Sequence, residues 1–347
     1  MRPYGYEDYP REVVEDIARL RRRIAASGLP EKRLDANLLI GSWNIRAFGQ
    51  LHREWTENPG SPKRNLRAMA SIAEVVRRFD VVAIQEVKRE TVALRTLVHD
   101  FLGPDWGLIV SDVSAGSSGN AERLAFVYDR RRVAPSGLAG EIVLPPAPEG
   151  IPTEQFDRTP YIVGFRAGSA SDGSGEAISF ALLTAHIRYG DVPEDRLPEL
   201  RRLAAYIAEE IRDRVAEKGE ERNLIVLGDF NIDRRGDNPL FQAFVSTGLV
   251  VPEGLLDLKT TYGTEAKHYD QIAWFMGELE LLSTEHSGVI DIAGAPFKEL
   301  TLREMSYRIS DHFPIWVEFL PDRSTVAMAR TLGLDPATPD PLGTVPD

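Results

Sequence analysis

Short apolar runs recur along the chain and stop abruptly at polar residues. The clearest is Leu224–Leu227, LIVL, which ends at Gly228 and is followed by Asp229, Phe230 and Asn231. An apolar run bounded in this way predicts a strand buried on both faces. Residues i and i+2 of an extended segment point the same way. Asp229 and Asn231 are therefore expected to project together from the end of a core strand while Phe230 turns away. Gly, Asp and Asn are also ordinary turn residues, so the decapeptide alone leaves a plain turn open. The same pattern repeats elsewhere. Asn37–Trp43 runs into Asn44, Asp80–Ile84 into Gln85 and Glu86, and Ala177–Ala185 into His186. Glu122–Asp129 begins with a carboxylate, Tyr269–Phe275 carries Asp270, and Phe313–Phe319 follows Ser310, Asp311 and His312.

Helical periodicity fills the intervals. Val13, Val14, Ile17, Ala18, Leu20 and Ile24 give a helix over residues 9–27, stopped by Gly28 and Pro30. Its Arg21–Arg23 run sits among alternating charges and reads as a solvated face. Leu66, Met69, Ala70, Ile72, Ala73 and Val76 give a second helix within 63–79. Further helices are expected over 88–102, Arg196–Lys218 and Asn238–Thr247, and further strands at Asp105–Val110, Pro160–Ala167 and Leu279–Thr284. GSASDGSGE would join Pro160–Ala167 to Ala177–Ala185 as a hairpin. Residues 47–62 and 114–121 read as loops, 134–157 as a Pro- and Gly-rich excursion, and 287–308 fit no single pattern. This alternation predicts two sheets packed face to face with outer helices. The expected organisation is a helical extension at 1–35, a main domain at 36–320, and a poorly ordered tail at 321–347 with a short helix around Val326–Leu332.

Composition narrows the chemistry. The chain has 347 residues, 43% hydrophobic and 27% charged, the balance of a soluble globular protein with a real core. It has no cysteine, which excludes disulfides, thiolate zinc sites and cysteine nucleophiles and fits a reducing compartment. The N-terminal residues have no apolar signal region, and no stretch is apolar for long enough to span a membrane; a cytoplasmic location is expected. The net charge of −12 argues against strong non-specific affinity for nucleic acid. It does not exclude a nuclease, because carboxylates that hold a divalent cation acquire its charge.

The polar residues at strand ends form a set suited to attack by water on a phosphoester: Asn44, Glu86, Glu122, His186, Asp229, Asn231, Asp270, Asp311 and His312. Phosphoryl centres are anionic, so catalysis is largely positioning and charge neutralisation. Mg²⁺ takes one or two carboxylates and keeps several waters. Glu86 is the primary candidate ligand, with Asn44 and Asp311 beside it. Asp229 and Asn231 would orient or deprotonate the attacking water. His186 and His312 would bind phosphate oxygens or move protons, with Glu122 and Asp270 as their respective carboxylate partners. Singly, each residue has a plainer reading: a strand-end cap for Asn44, a satisfied interior imidazole for His186.

WNI at 43–45, QE at 85–86, ERLAFVYD at 122–129, TAH at 184–186, GDFN at 228–231, YDQI at 269–272 and SDHFP at 310–314 resemble, in order, the motifs of the endonuclease/exonuclease/phosphatase superfamily. The deoxyribonuclease I-like branch is the most similar, over roughly residues 36–320. The resemblance implies an α+β fold, a four-layer α/β/β/α sandwich of two mostly antiparallel sheets. It also implies Mg²⁺- or Mn²⁺-dependent hydrolysis with His186 and His312 flanking the scissile phosphate. FDRTP at 156–160 is similar to an element of that branch and makes Arg158 a candidate phosphate contact, unless it pairs with Asp157 or another carboxylate. The paired cysteines of secreted deoxyribonucleases are missing, Gln271 stands where a basic residue often follows the Asp, and the basic signature of inositol polyphosphate phosphatases is not visible. The implied function is a DNA endonuclease. The alternatives are a hydrolase of a small phosphoester on the same fold, or a binding protein without catalysis.

Overall fold

The apolar runs become the central strands of two six-stranded sheets. A computed structural model describes the chain except for residues 1, 34–35, 59, 115–120, 147–152, 168–176, 212–222, 263–264, 276–278, 280, 322–323, 336–337, 339–340 and 346–347. The strands are β1 Leu38–Phe48, β2 Val81–Lys88, β3 Trp106–Val110, β4 Glu122–Asp129, β5 Val133–Glu141 and β6 Tyr161–Ala167, followed by β7 Ile178–His186, β8 Leu224–Asp229, β9 Leu249–Val250, β10 Asp270–Phe275, β11 Leu282–Val289 and β12 Ile315–Leu320. One sheet runs β11-β12-β1-β2-β4-β3 and the other β5-β6-β7-β8-β10-β9. Each has a single parallel pair near its middle, β1/β2 and β7/β8, and is otherwise antiparallel.

Side-chain alternation assigns the layers. Leu38 and Ile40 of β1 and Val81 and Ala83 of β2 face the second sheet and meet Leu182, Ile225 and Leu227 in one core. Leu39 and Trp43 of β1 and Val82 and Ile84 of β2 face outward, under α1 Arg11–Ala26 and α2 Leu66–Val76. Asn65 caps α2 by accepting from Ala68 N–H at 3.0 Å. The helix α1 is fastened through buried Asp16, which accepts from Arg67 Nε at 2.7 Å and Phe297 N–H at 3.3 Å. On the other side, α4 Leu197–Tyr206 and α5 Pro239–Val245 cover the second sheet with Leu200, Leu203, Leu240 and Phe244. The result is the four-layer sandwich. Between the sheets, the Gln85 amide donates to Thr184 Oγ1 at 3.0 Å, a buried polar tie between β2 and β7.

Several elements differ from the sequence expectation. The first residues of the expected excursion, 134–141, belong to β5, an edge strand, where Pro135, Gly137 and Gly140 cost least. The helix expected over 88–102 is the short α3, Val92–Thr96, continued by a π-helical stretch at Leu97–Leu102. The expected helix 196–218 holds α-geometry over Leu197–Tyr206 and widens to π-helical at Ile207–Ile211. Its remainder lies outside the described residues, as do the 168–176 hairpin and most of the 114–121 loop. The strand expected at 279–284 is shifted to β11, with a register break at Ser283/Ser287 where Glu285 has φ +64°. Within 287–308 lies a short helix, Leu302–Ser306, closed by a Thr301/Glu304 capping box. The tail carries a helix at Ser324–Thr331.

Candidate active site

Strand register gathers the site at one rim of the sandwich. His186 is paired with Asp229 across β7/β8, and Asp229 with Asp270 across β8/β10. In the facing sheet Asn44 is level with Gln85, and Lys88 with Glu122. The close approach of β8 to β7 beside the site requires glycine. Gly228 has φ +145°, and a Cβ there would lie 2.1 Å from the Ala185 carbonyl oxygen.

Asp229 is the focus. Its Oδ2 accepts from Asn44 Nδ2 at 2.8 Å and faces His186 Nε2 at 3.5 Å and His312 Nε2 at 3.8 Å. Each imidazole meets a second carboxylate behind it: His186 Nδ1 lies 2.9 Å from Glu122 Oε2, and His312 Nδ1 2.8 Å from Asp270 Oδ2. All six of these side chains, from both sheets, are buried. Burial opposes ionisation of Asp229, yet His312, His186, the Asn231 N–H and the Asn44 amide together hold its carboxyl below the ordinary range. Burial raises Asp270. It would also lower His312, but the carboxylates of Asp270 and Asp229 outweigh it and lift the imidazole to about 10. Burial likewise works against Glu122, whose contacts with His186, Arg158 and Lys88 prevail and bring it to about 2.

The structure corrects one geometric expectation. Asn231 does not project beside Asp229 from an extended segment. The strand ends at Asp229, and Asn231 takes a left-handed conformation at φ +51°. Its backbone N–H donates to Asp229 Oδ1 at 2.9 Å, and its amide Nδ2 donates to the Ile187 carbonyl at 2.7 Å. The turn thereby fixes the Asp229 carboxylate.

Glu86 is also in the left-handed region, at φ +59°, where the β2/β4 register shifts between Ile84 and Val87. Its Oε2 accepts from Ala47 N–H at 2.8 Å and its Oε1 from Asn44 Nδ2 at 3.3 Å. A strained backbone held at a strand end marks a place where geometry is imposed from outside the strand. The donor set beside it suits a hard divalent cation. It offers oxygen only, and Asn44 Oδ1 is buried without a hydrogen-bond partner. Asp229, Asp270 and His312 also bring potential ligand atoms within 4.8 Å of one another. In that group His312 Nδ1 and Asp270 Oδ2 are engaged with each other at 2.8 Å, which fits acid–base work better than metal ligation. Asp311 stands at the margin, half exposed, with Arg46 Nη1 at 3.4 Å. Arg158 is buried with its Nε 2.7 Å from Glu122 Oε2.

Several supporting residues were not singled out from sequence. Trp43 Nε1 donates to the His312 carbonyl at 2.9 Å, and Ser310 Oγ donates to the Asn44 carbonyl at 2.6 Å, so β1 and the segment entering β12 brace each other. Lys88 Nζ lies 2.8 Å from Glu122 Oε1. Arg196, buried at the start of α4, donates to the Asn231 carbonyl at 2.7 Å. Trp43 and Ser310 stand inside the quoted motifs; Arg196 is one arginine among many, and nothing in its spacing distinguishes it.

A two-sheet sandwich with paired imidazoles and carboxylates at one rim defines a phosphoester-type site. The chain belongs to the endonuclease/exonuclease/phosphatase family, whose model matches residues 41–270. It is 28% identical over 293 residues to a deoxyribonuclease of Thioalkalivibrio sp. (strain K90mix), covering 82% of this chain and 71% of that protein. It is 24% identical over 308 residues to deoxyribonuclease-1 of Bos taurus, covering 85% and 95%. Among solved structures, an endonuclease/exonuclease/phosphatase family protein from Bacteroides thetaiotaomicron superposes with a TM-score of 0.52 at 18% identity, covering 82% of this chain and 94% of that one. Among the described residues, no helix is long and apolar enough to cross a membrane.

Proposed function

We propose that the chain is a divalent-cation-dependent phosphodiesterase that cleaves DNA as an endonuclease, with residues 36–320 as the catalytic domain. The observation that carries this reading is the convergence of two imidazole Nε2 atoms and the Asn44 amide on Asp229 Oδ2. The deoxyribonuclease relatives favour DNA over other phosphoesters. Glu86 and Asn44, with Asp311 as a third ligand, would hold Mg²⁺ or Mn²⁺. When bound, the cation polarises the phosphoryl oxygen and offsets charge on the leaving oxygen. The rest is work for side chains. Asp229, ionised, orients the attacking water and accepts its proton, with Asn231 fixing the carboxylate. His312, protonated and backed by Asp270, donates toward a phosphate or leaving oxygen. His186, oriented by Glu122, contacts a second phosphate oxygen, with Arg158 adjoining. A cysteine-free chain suits a reducing compartment, and we assign it to the cytoplasm.

The test is plasmid nicking with Mg²⁺ or Mn²⁺, run beside small phosphodiesters and phosphomonoesters. Nicking is expected, and Glu86→Ala should shift the metal titration to higher concentration; an unchanged titration rejects Glu86 as ligand. The net charge of −12 favours the second reading, a small phosphoester substrate, and turnover confined to such compounds would establish it. Failure to hydrolyse any phosphoester would leave the non-catalytic reading.

A further inference from the structure

A row of rings leads out of the catalytic cluster. The Tyr269 ring lies 6.0 Å from that of His312, centroid to centroid, and Tyr189 stands edge-on to Tyr269 at 6.1 Å with 84° between planes. Tyr189 is 56% exposed, although it closely follows His186 in the chain. Its exposure does not come from a loose loop. The guanidinium of buried Arg196 sits 4.4 Å from the Tyr189 ring centroid, backing one face. Arg196 Nε donates to the Tyr189 carbonyl at 2.6 Å, and its Nη1 to the Asn231 carbonyl at 2.7 Å and to Asp233 Oδ2 at 2.9 Å. One buried cation thus ties the turn carrying Tyr189 to the turn that fixes Asp229. Gly190, at φ +69°, then bends the chain away, and a Cβ there would meet Asp195 Cβ at 2.5 Å.

A rigid aromatic ring, supported on one face and more than half exposed, is what a nucleobase stacks on. Bases within a duplex have both faces covered by their neighbours, so only an unpaired or unstacked base can use such a ring. Stacking also supplies affinity that does not depend on phosphate attraction, which a chain of net charge −12 offers poorly. Beyond the Arg196 support, Asp233 lines a cleft of about 970 Å³ whose lining includes Arg234 and Lys259. Both are exposed, and neither forms an ion pair among the described residues. Lys267 in the same cleft is engaged by Asp233 at 3.4 Å and Glu265 at 3.3 Å. Asp233 joins the two features, since it binds Arg196 beneath the Tyr189 ring and lines the cleft that holds Arg234 and Lys259.

We infer that Tyr189 is a stacking platform for an unpaired nucleobase adjoining the scissile phosphate, so that the preferred substrate is single-stranded or locally unpaired nucleic acid rather than intact duplex. This rests on the nuclease reading above. The test uses the full chain in EDTA with a single-stranded oligonucleotide carrying 2-aminopurine, followed by anisotropy for affinity and by fluorescence quenching for stacking. Wild type and Tyr189→Trp should quench the probe. Tyr189→Ala and Tyr189→Leu should lose quenching and bind about 5- to 100-fold more weakly, with the salt slope unchanged. In Mg²⁺, wild type should cleave single strands faster than duplex, and Tyr189→Ala should narrow that ratio. Quenching and binding by Tyr189→Leu equal to wild type, or cleavage of duplex in preference to single strands, would overturn the platform. DNA cleavage that is indifferent to Tyr189→Ala would remove the platform and leave the nuclease reading standing. Stacking without cleavage of any nucleic acid would do the reverse, and a wild type that neither binds nor cleaves removes both.

Discussion

Both imidazoles of the site turn Nε2 toward Asp229 and Nδ1 toward a buried carboxylate, at 2.9 Å for His186 and 2.8 Å for His312, but the carboxylates behind them have different surroundings. Glu122 is shared among three partners: His186, Arg158 with Nε at 2.7 Å, and Lys88 with Nζ at 2.8 Å. Among the described residues no lysine or arginine forms an ion pair with Asp270, whose carboxyl meets His312 with the like charge of Asp229 nearby. The consequences run in opposite directions. His186, with Arg158 and Lys88 adding to it, brings Glu122 to about 2 despite its burial, whereas Asp270 is raised by burial and His312 is lifted to about 10. Similar geometry therefore does two jobs. Asp270 supplies His312 with charge and keeps a proton on the pair, while Glu122 supplies His186 mainly with orientation.

The largest effects should separate the two histidines. His312→Ala is expected to lower kcat by about 10³-fold or more and His186→Ala by about 10²-fold, within the range for a positioned acid or base. Single-turnover cleavage at saturating metal measures both, and equal losses would erase the distinction. The carboxylates should then show a crossover. Asp270→Asn keeps the shape but withdraws the charge, so kcat should fall about 10²-fold while stability to urea changes by about 1 kcal/mol or less, because the mutation also relieves a buried charge. Glu122→Gln should cost less than about 10-fold in kcat. It leaves Arg158 buried without its counter-ion, however, at about 3–5 kcal/mol of stability. Parallel changes in rate and stability in both variants would contradict the division of labour.

The sequence carried much of this site because buried strands leave a strong trace. A central parallel strand reads as an unbroken apolar run, and a polar residue where it stops, such as Asn44, Glu86, His186 or Asp229, is visible against that background. Pairwise registers then follow from the fold, which is why the partners Glu122 and Asp270 could be named from motif order. Conformation at single residues leaves less trace. The left-handed turns at Glu86 and Asn231 are imposed by hydrogen bonds from Ala47 N–H and to the Ile187 carbonyl, contacts between segments far apart in sequence. Pro135 and Gly137 disguised β5, because residues that argue against a central strand are tolerated at an edge. Arg196 was invisible for a different reason. Its role comes from three acceptors on turns that only tertiary structure assembles.

The smallest expected effect supplies a control for the two-histidine comparison, because β4 carries a second carboxylate at its far end. Asp129 is buried like Glu122, with Lys32 Nζ and Arg131 Nη2 each 2.8 Å from its Oδ2, but no imidazole touches it. Burial opposes its ionisation, yet the hydrogen bonds from Arg131 and Lys32 bring it to about 2, as at Glu122. A carboxyl depressed on folding stabilises the native state above its unfolded pKa, and that contribution drains away as pH falls through the folded value. For Asp129 the window runs from about 4 down to about 2. With Arg131 largely exposed, the contribution is about 1–2 kcal/mol after allowing for solvent screening. Asp129→Asn should therefore flatten the acid limb of the stability profile only within that window and leave turnover unchanged. Glu122→Gln should flatten it over a similar window and also lower turnover, because the same carboxylate orients His186. If Asp129→Asn left the acid limb at full slope, lysine and arginine contacts would not suffice to depress a carboxyl on this strand. His186 would then hold the Glu122 charge without help from Arg158 and Lys88, and the contrast with the Asp270 pair would collapse.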